Sequence, residues 1–332
     1  MPASWANDGQ GIGNEQMSDT ALLFPGQGSQ ELGMGQDLAQ AFPQARQVYD
    51  EADGILGFSL SSLCFEGPKE VLDDTINTQP AIFVTSLAIM RVLEAEGKLK
   101  SLSAEPPAMV AGHSLGELTA LVAAGAMEFA DGLRLVRERG RLMKLAGERN
   151  PGGMAAVLKM DDAQVEKACK QAAEQTGKAV QIANYNSPGQ VVISGDQEAL
   201  SQAIELLREW GARRITTLAV SIAAHSPLMA TVVQEYRAAV DATPLQKPRV
   251  PVVANISARP LLSVDEIRDE LAGQLTWPVR WTSSVQWMSE QGVTRFVEVG
   301  PKDVLSKLVN RINPTARALS VGDVASIEVL QQ

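Results

Sequence analysis

Short apolar runs alternate with longer segments of helical periodicity over the first 147 residues. The run 20–24, "TALLF", predicts a buried strand that breaks into the glycine-rich turn "PGQGSQ", and "PAMVAGHS" predicts a second strand. Apolar residues recur at helical spacing in four segments, which predict helices: 36–52, 79–97, 115–127 and 131–147. This alternation of strands and helices predicts a parallel sheet covered by helices, and therefore an α/β fold.

The pattern changes at a turn cluster, "ERNPGG", at 148–153. The residues that follow predict a strand, a helix, two strands, a helix and a strand. Asp196 is a candidate N-cap for the second helix, and Gly211 is its candidate stop. The order βαββαβ is typical of a ferredoxin-like unit, so we expect residues 149–220 to form a small inserted domain.

Strands and helices alternate again after Val220. Two runs predict strands, "VPVVANIS" and "TRFVEVG", and three segments predict helices: 264–275, 281–291 and 302–312. We therefore expect the chain to return to the first core, so that 18–148 and 221–325 form one α/β unit. Residues 1–17 have neither a basic start nor an apolar stretch, so we expect a cloning remnant or a disordered extension there and no signal peptide.

The composition is typical of a soluble globular protein, with 45% hydrophobic and 20% charged residues in a chain of 332. The net charge of −10 argues against nucleic acid as a partner. No run of about 18 apolar residues occurs, so we expect no membrane-spanning segment and a cytoplasmic protein. Cys64 and Cys169 are far apart in the sequence, and we expect both to be buried free thiols in a reducing compartment, with no metal site.

The segment Gly112-His113-Ser114-Leu115-Gly116 fits the pattern G-x-S-x-G and lies between a predicted strand and a predicted helix. That context is the one a nucleophile elbow requires. The start of the helix would direct free N–H groups, including that of Leu115, at an oxyanion that develops beside Ser114. The alternative is a glycine-rich turn with a solvated serine, and the strand–turn–helix context favours the nucleophile.

A serine nucleophile needs a general base, and histidine is the usual one. The chain has two histidines. His113 is adjacent to Ser114, and neighbouring side chains diverge in a sharp turn, so we expect His113 to pack or to make a structural hydrogen bond. His225 is therefore the candidate base, against the alternative that it too is structural.

Several motifs occur in one order along the chain: "FPGQGSQ", "GHSLGE", an Arg-Gly pair about 25 residues later, "NYNSPGQVVISG", the histidine before "SPLM", "QLTWPVRW" and "EVGP". Together they resemble the malonyl-CoA:acyl carrier protein transacylases of bacterial fatty acid synthesis and the related acyltransferase domains of polyketide synthases. The resemblance covers about residues 20–320. It implies a hydrolase-like core with a parallel sheet and a nucleophile elbow, plus an inserted ferredoxin-like subdomain.

The resemblance also implies catalytic roles. Ser114 matches the family nucleophile, and His225 matches the general base. The backbone carbonyl of Gln274 would orient the histidine in place of a triad aspartate. The backbone N–H groups of Leu115 and Gln27 would form the oxyanion hole.

Arg139, in "LVRERGRLM", matches the arginine that binds the malonyl carboxylate in the family. A guanidinium can hold a carboxylate through two parallel hydrogen bonds, which lysine cannot; the alternative is one more solvated arginine on a basic helix face. Gln27, His113, Asn184 and Ala224 are expected around the substrate as well. Ala224 is smaller than the serine or phenylalanine common at that position, so a substituted unit such as methylmalonyl stays open.

These assignments predict a ping-pong transfer of malonyl from malonyl-CoA, through a malonyl-serine ester, to the phosphopantetheine thiol of an acyl carrier protein. The resemblance implies no metal or redox cofactor and a monomer. Two other functions stay open: an acyl hydrolase that uses the same serine and histidine, and a non-catalytic scaffold. Acyl carrier proteins are acidic, so docking on this acidic chain would need a local basic patch. The candidates are Arg213, Arg214, Lys302 and Lys307.

Overall fold

The computed structural model describes residues 18–99, 107–220 and 222–330, and the extension predicted at 1–17 lies outside them. The strands of this part of the chain are β1 Thr20–Phe24, β2 Met109–Gly112, β3 Gly152–Leu158, β4 Val180–Ser187, β5 Gln190–Asp196, β6 Arg214–Thr217, β7 Val252–Val253, β8 Pro260–Leu261, β9 Arg295–Val299 and β10 Arg317–Val321.

The helices of the same residues are α1 Gln36–Ala41, α2 Pro43–Leu56, α3 Leu60–Glu66, α4 Lys69–Leu72, α5 Thr75–Ala95, α6 Gly116–Ala123, α7 Phe129–Arg149, α8 Asp162–Thr176, α9 Gln197–Glu209, α10 Val233–Ala242, α11 Val264–Gln274, α12 Trp281–Glu290, α13 Val304–Ile312 and α14 Val324–Val329. A 3₁₀ helix, Pro227–Val232, precedes α10.

A central sheet of six strands has the order β10-β9-β1-β2-β7-β8. Its strands pair in parallel except at the last pair, β7 with β8, which is antiparallel. The sheet is therefore mixed, whereas the sequence predicted a parallel one. The chain turns back after β7, where the Ala254 N–H donates to the Arg259 carbonyl at 2.9 Å. All five residues of β1 are buried, as expected for a strand covered by helices on both faces.

A separate antiparallel sheet has the order β4-β5-β3-β6. Helices α8 and α9 cover one face of it, and their buried side chains, such as Cys169 and Leu207, share a cluster with Val157 and Ile193 of the strands. The other face carries a second cluster of Met154, Ala183 and Val192. Ala224, next to the candidate base, packs against this second cluster.

The two sheets are joined along the edge strand β4. The Val279 N–H donates to the Ala183 carbonyl at 2.9 Å, and the Tyr185 N–H donates to the Val279 carbonyl at 2.9 Å. Val279 lies just before α12, so this segment connects the small sheet to the core beside the predicted catalytic residues.

Helix α5 is long and apolar enough to cross a membrane by length and composition, although the sequence led us to expect no such segment. In the structure, 83% of its most apolar 18-residue window is buried inside the protein. It carries buried polar side chains, including Gln79 and Thr85. Helix α5 therefore has the environment of a core helix.

Several element boundaries differ from the predicted ones. The helix predicted at 36–52 is interrupted at Phe42, whose backbone is extended, and Pro43 starts a new helix. That geometry is expected because the residue before proline disfavours the helical region. The helix predicted at 79–97 begins earlier, at Thr75, because the Asp74 side chain caps it. Asp196 caps α9 as predicted, accepting from the Glu198 N–H.

Candidate active site

Ser114 occupies a sharp turn between β2 and α6, with a φ of +52° that non-glycine residues rarely adopt. The flanking glycines are sterically required. A Cβ on Gly112 would lie 1.9 Å from the Gly116 backbone, and a Cβ on Gly116 would lie 2.0 Å from the Phe24 carbonyl oxygen. The backbone of Ser114 is also fixed from outside, because its N–H donates to the Asn255 Oδ1 at 2.7 Å.

The Ser114 hydroxyl and the His225 imidazole are in direct contact, with 2.8 Å between Oγ and Nε2. His225 Nδ1 lies 2.7 Å from the Gln274 carbonyl oxygen and 3.2 Å from that of Trp277. Carbonyl oxygens only accept hydrogen bonds, so Nδ1 carries the ring proton and Nε2 presents its lone pair to the serine. The arrangement is that of a nucleophile and a base oriented by a third group.

The environment of His225 keeps the ring neutral. Burial is the main cause, and the positive charge of Arg139 adds to it, so that the pKa of His225 falls to about 3. A neutral imidazole is the form that can accept the serine proton.

Arg139 extends from α7 into the same site and is 1% exposed. Its Nη2 donates to Ser114 Oγ at 3.1 Å and to Gln274 Oε1 at 2.7 Å. Its Nη1 donates to Gln79 Oε1 at 2.8 Å, and its Nε–H has no acceptor within the part of the chain that the structure describes. Burial lowers the pKa of the guanidinium, which still keeps its proton because arginine titrates far above neutrality.

The other cations of α7 lie in different surroundings. The side chains of Arg134, Arg141 and Lys144 form half-exposed ion pairs with Asp131, Glu138 and Asp74, respectively. Arg137 donates to the Ile76 carbonyl and to Asn77, and Arg149 pairs with Glu235 at 3.6 Å. Arg139 is therefore the cation of this helix that contacts the candidate nucleophile.

The backbone around Ser114 offers a donor for an oxyanion. No acceptor among the described residues takes the N–H of Leu115, the N-cap residue of α6. The glycine-rich turn after β1 passes close by, since a Cβ on Gly26 would lie 2.3 Å from the His113 carbonyl oxygen. Gln27 follows in that turn, and its side chain is held by a 3.0 Å hydrogen bond to Thr75.

The remaining predicted site residues lie at the edge of this cluster. His113 Nε2 lies 2.8 Å from Asn186 Oδ1, and its ring is 5.5 Å from that of Trp281. Asn184 is buried on β4, and no hydrogen bond joins its side chain to a described site residue. Asn186, the asparagine that contacts His113, lies at a register irregularity of β4 between Tyr185 and Ser187.

Sequence reasoning did not single out Gln79, Asn255, Asn186 or Glu117, all of which contact predicted site residues. Two of them left a signal. Gln79 directly precedes the most apolar stretch of its helix, and Asn255 lies two residues after strand β7, which pairs in parallel with β2, at the kind of sheet edge where sites commonly form. The described residues contain no group of three side chains suited to hold a metal ion, and Cys64 and Cys169 are buried and free.

Comparison with known proteins identifies the family of the chain. The family model of the acyl transferase domain matches residues 21–330. The malonyl CoA-acyl carrier protein transacylase of Escherichia coli K12 is 42% identical over 311 residues, which cover 94% of this chain and 98% of that protein.

Solved structures of such proteins share the fold. An acyl carrier protein S-malonyltransferase from Vibrio cholerae superposes with a TM-score of 0.89 at 41% identity, covering 94% of this chain and 100% of that one. A malonyl-transacylase solved in complex with a type II polyketide synthase acyl carrier protein has the same TM-score and identity, and the match covers 94% of this chain and 98% of that one. The chain therefore belongs to the acyl transferase family and, within it, to the malonyl-CoA:acyl carrier protein transacylases.

Proposed function

We propose that the protein transfers malonyl groups from malonyl-CoA to the phosphopantetheine thiol of an acyl carrier protein. One observation carries the proposal: the buried guanidinium of Arg139 lies 3.1 Å from the hydroxyl of a serine that is paired with a histidine. An ordinary ester has no anion for such a cation, whereas a malonyl thioester has a carboxylate at its far end. Named relatives with this activity support the same function.

In the first half-reaction, Ser114 Oγ attacks the thioester carbonyl of malonyl-CoA while its proton moves to His225 Nε2. The backbone N–H groups of Leu115 and Gln27 stabilise the tetrahedral oxyanion. The intermediate collapses by breaking the carbon–sulfur bond, and the imidazolium returns its proton to the departing coenzyme A thiolate. A malonyl-Ser114 ester remains.

In the second half-reaction, the carrier protein's thiol attacks the ester as His225 Nε2 takes the thiol proton. The carbon–oxygen bond then breaks, and the proton moves to Ser114 Oγ, which regenerates the enzyme. All proton transfers use His225, so the proposed reaction needs no metal or redox cofactor. Throughout, the Nδ1–H bond to the Gln274 carbonyl keeps the ring in the required tautomer.

Arg139 selects the acyl group. Its Nη groups bind neutral amide oxygens of Gln79 and Gln274, and no described carboxylate lies within ion-pair distance. A malonyl carboxylate supplies the missing counter-charge through two charge-assisted hydrogen bonds, which acetyl cannot form. Ala224 leaves room beside the base, so methylmalonyl is the second candidate substrate.

We further infer that residues 18–148 and 221–325 form a hydrolase-like core with a nucleophile elbow, and that 149–220 form a ferredoxin-like insertion. The strand order of the small sheet and its separate hydrophobic cluster support this division. The site would then lie between the two parts, with His113 and Asn184 on the substrate side. We infer a cytoplasmic monomer.

Intact-protein mass spectrometry tests the proposal. Malonyl-CoA, acetyl-CoA and methylmalonyl-CoA are each mixed with enzyme, and holo carrier protein is added afterwards. We expect a malonyl adduct that is absent in Ser114→Ala and that moves to the carrier protein. An adduct that decays to free malonate without transfer would indicate a hydrolase, and no adduct would refute the proposal.

The role of Arg139 is tested in the same assay. Arg139→Ala should lower malonyl acylation by at least roughly 100-fold, because two charge-assisted bonds are lost, and should affect acetyl acylation far less. Arg134→Ala is the matched control, since Arg134 is an exposed arginine on the same helix. Equal losses for both acyl groups would contradict carboxylate binding.

A further inference from the structure

Glu117 is a fully buried carboxyl group beneath the active site, and the mechanism does not use it. It lies on the first turn of α6, three residues after the nucleophile. Its Oε1 accepts from the Asn255 N–H at 2.9 Å, and its Oε2 accepts from Gln274 Nε2 in a short hydrogen bond. Burying a carboxyl group is costly unless its partners compensate, so the placement calls for a physical explanation.

The contact with Gln274 determines which way that amide points. Gln274 Nε2 donates both to Glu117 and to the Ser114 carbonyl, at 3.0 Å in the second case. Both N–H groups are therefore used on one side, and Oε1 faces Arg139, from which it accepts at 2.7 Å. The reverse orientation would direct the amide N–H groups at a guanidinium, which has no acceptor.

No acidic side chain among the described residues pairs directly with Arg139, and Glu117 is the carboxyl group linked to it through a single side chain. Glu270 lies one turn before Gln274 on α11, where it accepts from the Ile256 N–H at 2.8 Å. Burial raises the pKa of Glu117 well above its usual value, and nearby Glu270 raises it further.

We propose that Glu117 is a positioning residue for carboxylate recognition: through the Gln274 amide it holds the Arg139 guanidinium in place and so sets the preference for malonyl over acetyl. This inference rests on the proposed function. Glu117 acts on the side-chain amide of Gln274, whereas His225 depends on the backbone carbonyl of the same residue. Loss of Glu117 should therefore weaken carboxylate binding more than the contact between Ser114 and His225, although the Gln274 amide also donates to the Ser114 carbonyl.

The variant Glu117→Gln tests the proposal because a side-chain amide has a single acceptor oxygen for two donors, the Asn255 N–H and Gln274 Nε2. We expect the Gln274 amide to lose its orientation. Malonyl acylation should then fall by roughly 10- to 100-fold with a raised KM for malonyl-CoA, because the charged hydrogen bonds between Arg139 and the malonyl carboxylate are weakened. Acetyl acylation should fall clearly less than malonyl acylation, since the contacts of His225 with Ser114 Oγ and with the Gln274 carbonyl persist.

Glu298→Gln is the matched control. Glu298 is also fully buried and accepts two backbone N–H groups, from Leu305 at 3.0 Å and Ser306 at 2.8 Å. It makes no hydrogen bond to a site residue in the described ranges. We expect its malonyl-to-acetyl ratio to equal that of the unchanged protein, even if its stability falls.

The outcomes distinguish this inference from the proposed function. Parallel losses of malonyl and acetyl acylation in Glu117→Gln would assign Glu117 to the general structure of the elbow and overturn the proposal. Failure of the unchanged protein to become malonylated would instead refute the function itself. If Glu117→Gln does not fold, Glu117→Asp replaces it: both acceptor oxygens are kept but withdrawn by roughly 1.5 Å. An unchanged malonyl-to-acetyl ratio in that variant would equally overturn the proposal.

Discussion

The two residues of the candidate dyad both have left-handed backbone conformations, with φ of +52° at Ser114 and +55° at His225. Each such conformation costs about 1–3 kcal/mol and persists only where the surroundings impose it. At Ser114, Asn255 and Gln274 hold the N–H and the carbonyl, respectively. At His225, Gln181 Nε2 donates to the carbonyl at 2.8 Å. Hydrogen bonds from side chains thus stabilise both strained backbone conformations and keep both reacting groups in place.

The pH dependence of acylation should reflect the low pKa of His225. An ordinary histidine base loses activity below about pH 6.5. Here burial and Arg139 lower the pKa to about 3, so acylation by malonyl-CoA should show no acid limb near 6.5. Single-turnover mass spectrometry across the folded pH range measures this profile, and an acid limb between roughly pH 6 and 7 would contradict the environment described for His225.

The same shift predicts the direction of a change in stability. The unfolded chain protonates this imidazole near pH 6.5, whereas the folded protein does not until about pH 3. The unfolded state therefore binds more protons in that window, and the contribution of His225 to the free energy of unfolding decreases as the pH falls through it. In a His225→Gln variant, the free energy of unfolding should lack this pH-dependent contribution, as measured by urea titrations at successive pH values.

At the residue scale, sequence reasoning found the groups that carry chemistry but not the amides and carboxyls that hold them. Ser114 followed from its glycines, and His225 followed from a count of two histidines. Gln79 contacts Arg139, which lies 60 positions away in the sequence, and Glu117 contacts Gln274, which lies 157 positions away. No local sequence pattern predicts contacts between residues so far apart, since these contacts depend on how the helices pack.

At the scale of elements, long periodic segments were predicted well and very short ones were not. Helix α9 was expected between Asp196 and Gly211 and runs from Gln197 to Glu209, because its apolar stripe extends over several turns. Strand β7 lies within the predicted run "VPVVANIS", whereas β8 has two residues, too few to show any period, and was not predicted. The antiparallel pair at that edge of the central sheet was therefore missed.

The β2–α6 turn should tolerate no side chain at its first glycine. A Cβ on Gly112 would meet backbone atoms of Gly116 at 1.9 Å, and backbone cannot rotate away as a side chain can. We expect Gly112→Ala to lower the free energy of unfolding by at least about 3 kcal/mol, measured by urea titration. In the control Gly54→Ala, on α2, the added Cβ meets nothing within 4 Å, and a gain of about 0.5–1 kcal/mol is expected. A loss below about 1 kcal/mol in Gly112→Ala would show that the strand and helix can separate.

At the scale of the whole molecule, the net charge of −10 should repel an acidic carrier protein at long range. Attraction must then be local. Among the four basic candidates, Lys302 donates to the Gly28 and Gln30 carbonyls, and Lys307 pairs with Asp303 at 2.8 Å. Arg213 and Arg214 are exposed at the start of the edge strand β6, and neither has an acidic partner within the described residues. Of the four candidates, these two are the ones whose side chains make no hydrogen bond or ion pair with a described residue.

The double variant Arg213→Glu/Arg214→Glu should therefore raise the KM for carrier protein by roughly 10-fold or more, because two close charge contacts become repulsive. Its acylation by malonyl-CoA should be unchanged. The control Arg46→Glu/Arg237→Glu changes the net charge equally, but both arginines are exposed and already pair with acids on their own helices. Long-range repulsion is screened over about 10 Å at 0.1 M salt, so the control should differ little from the unchanged protein there. Equal effects of the two double variants would mean that the carrier protein responds to total charge, and that its docking surface lies away from β6.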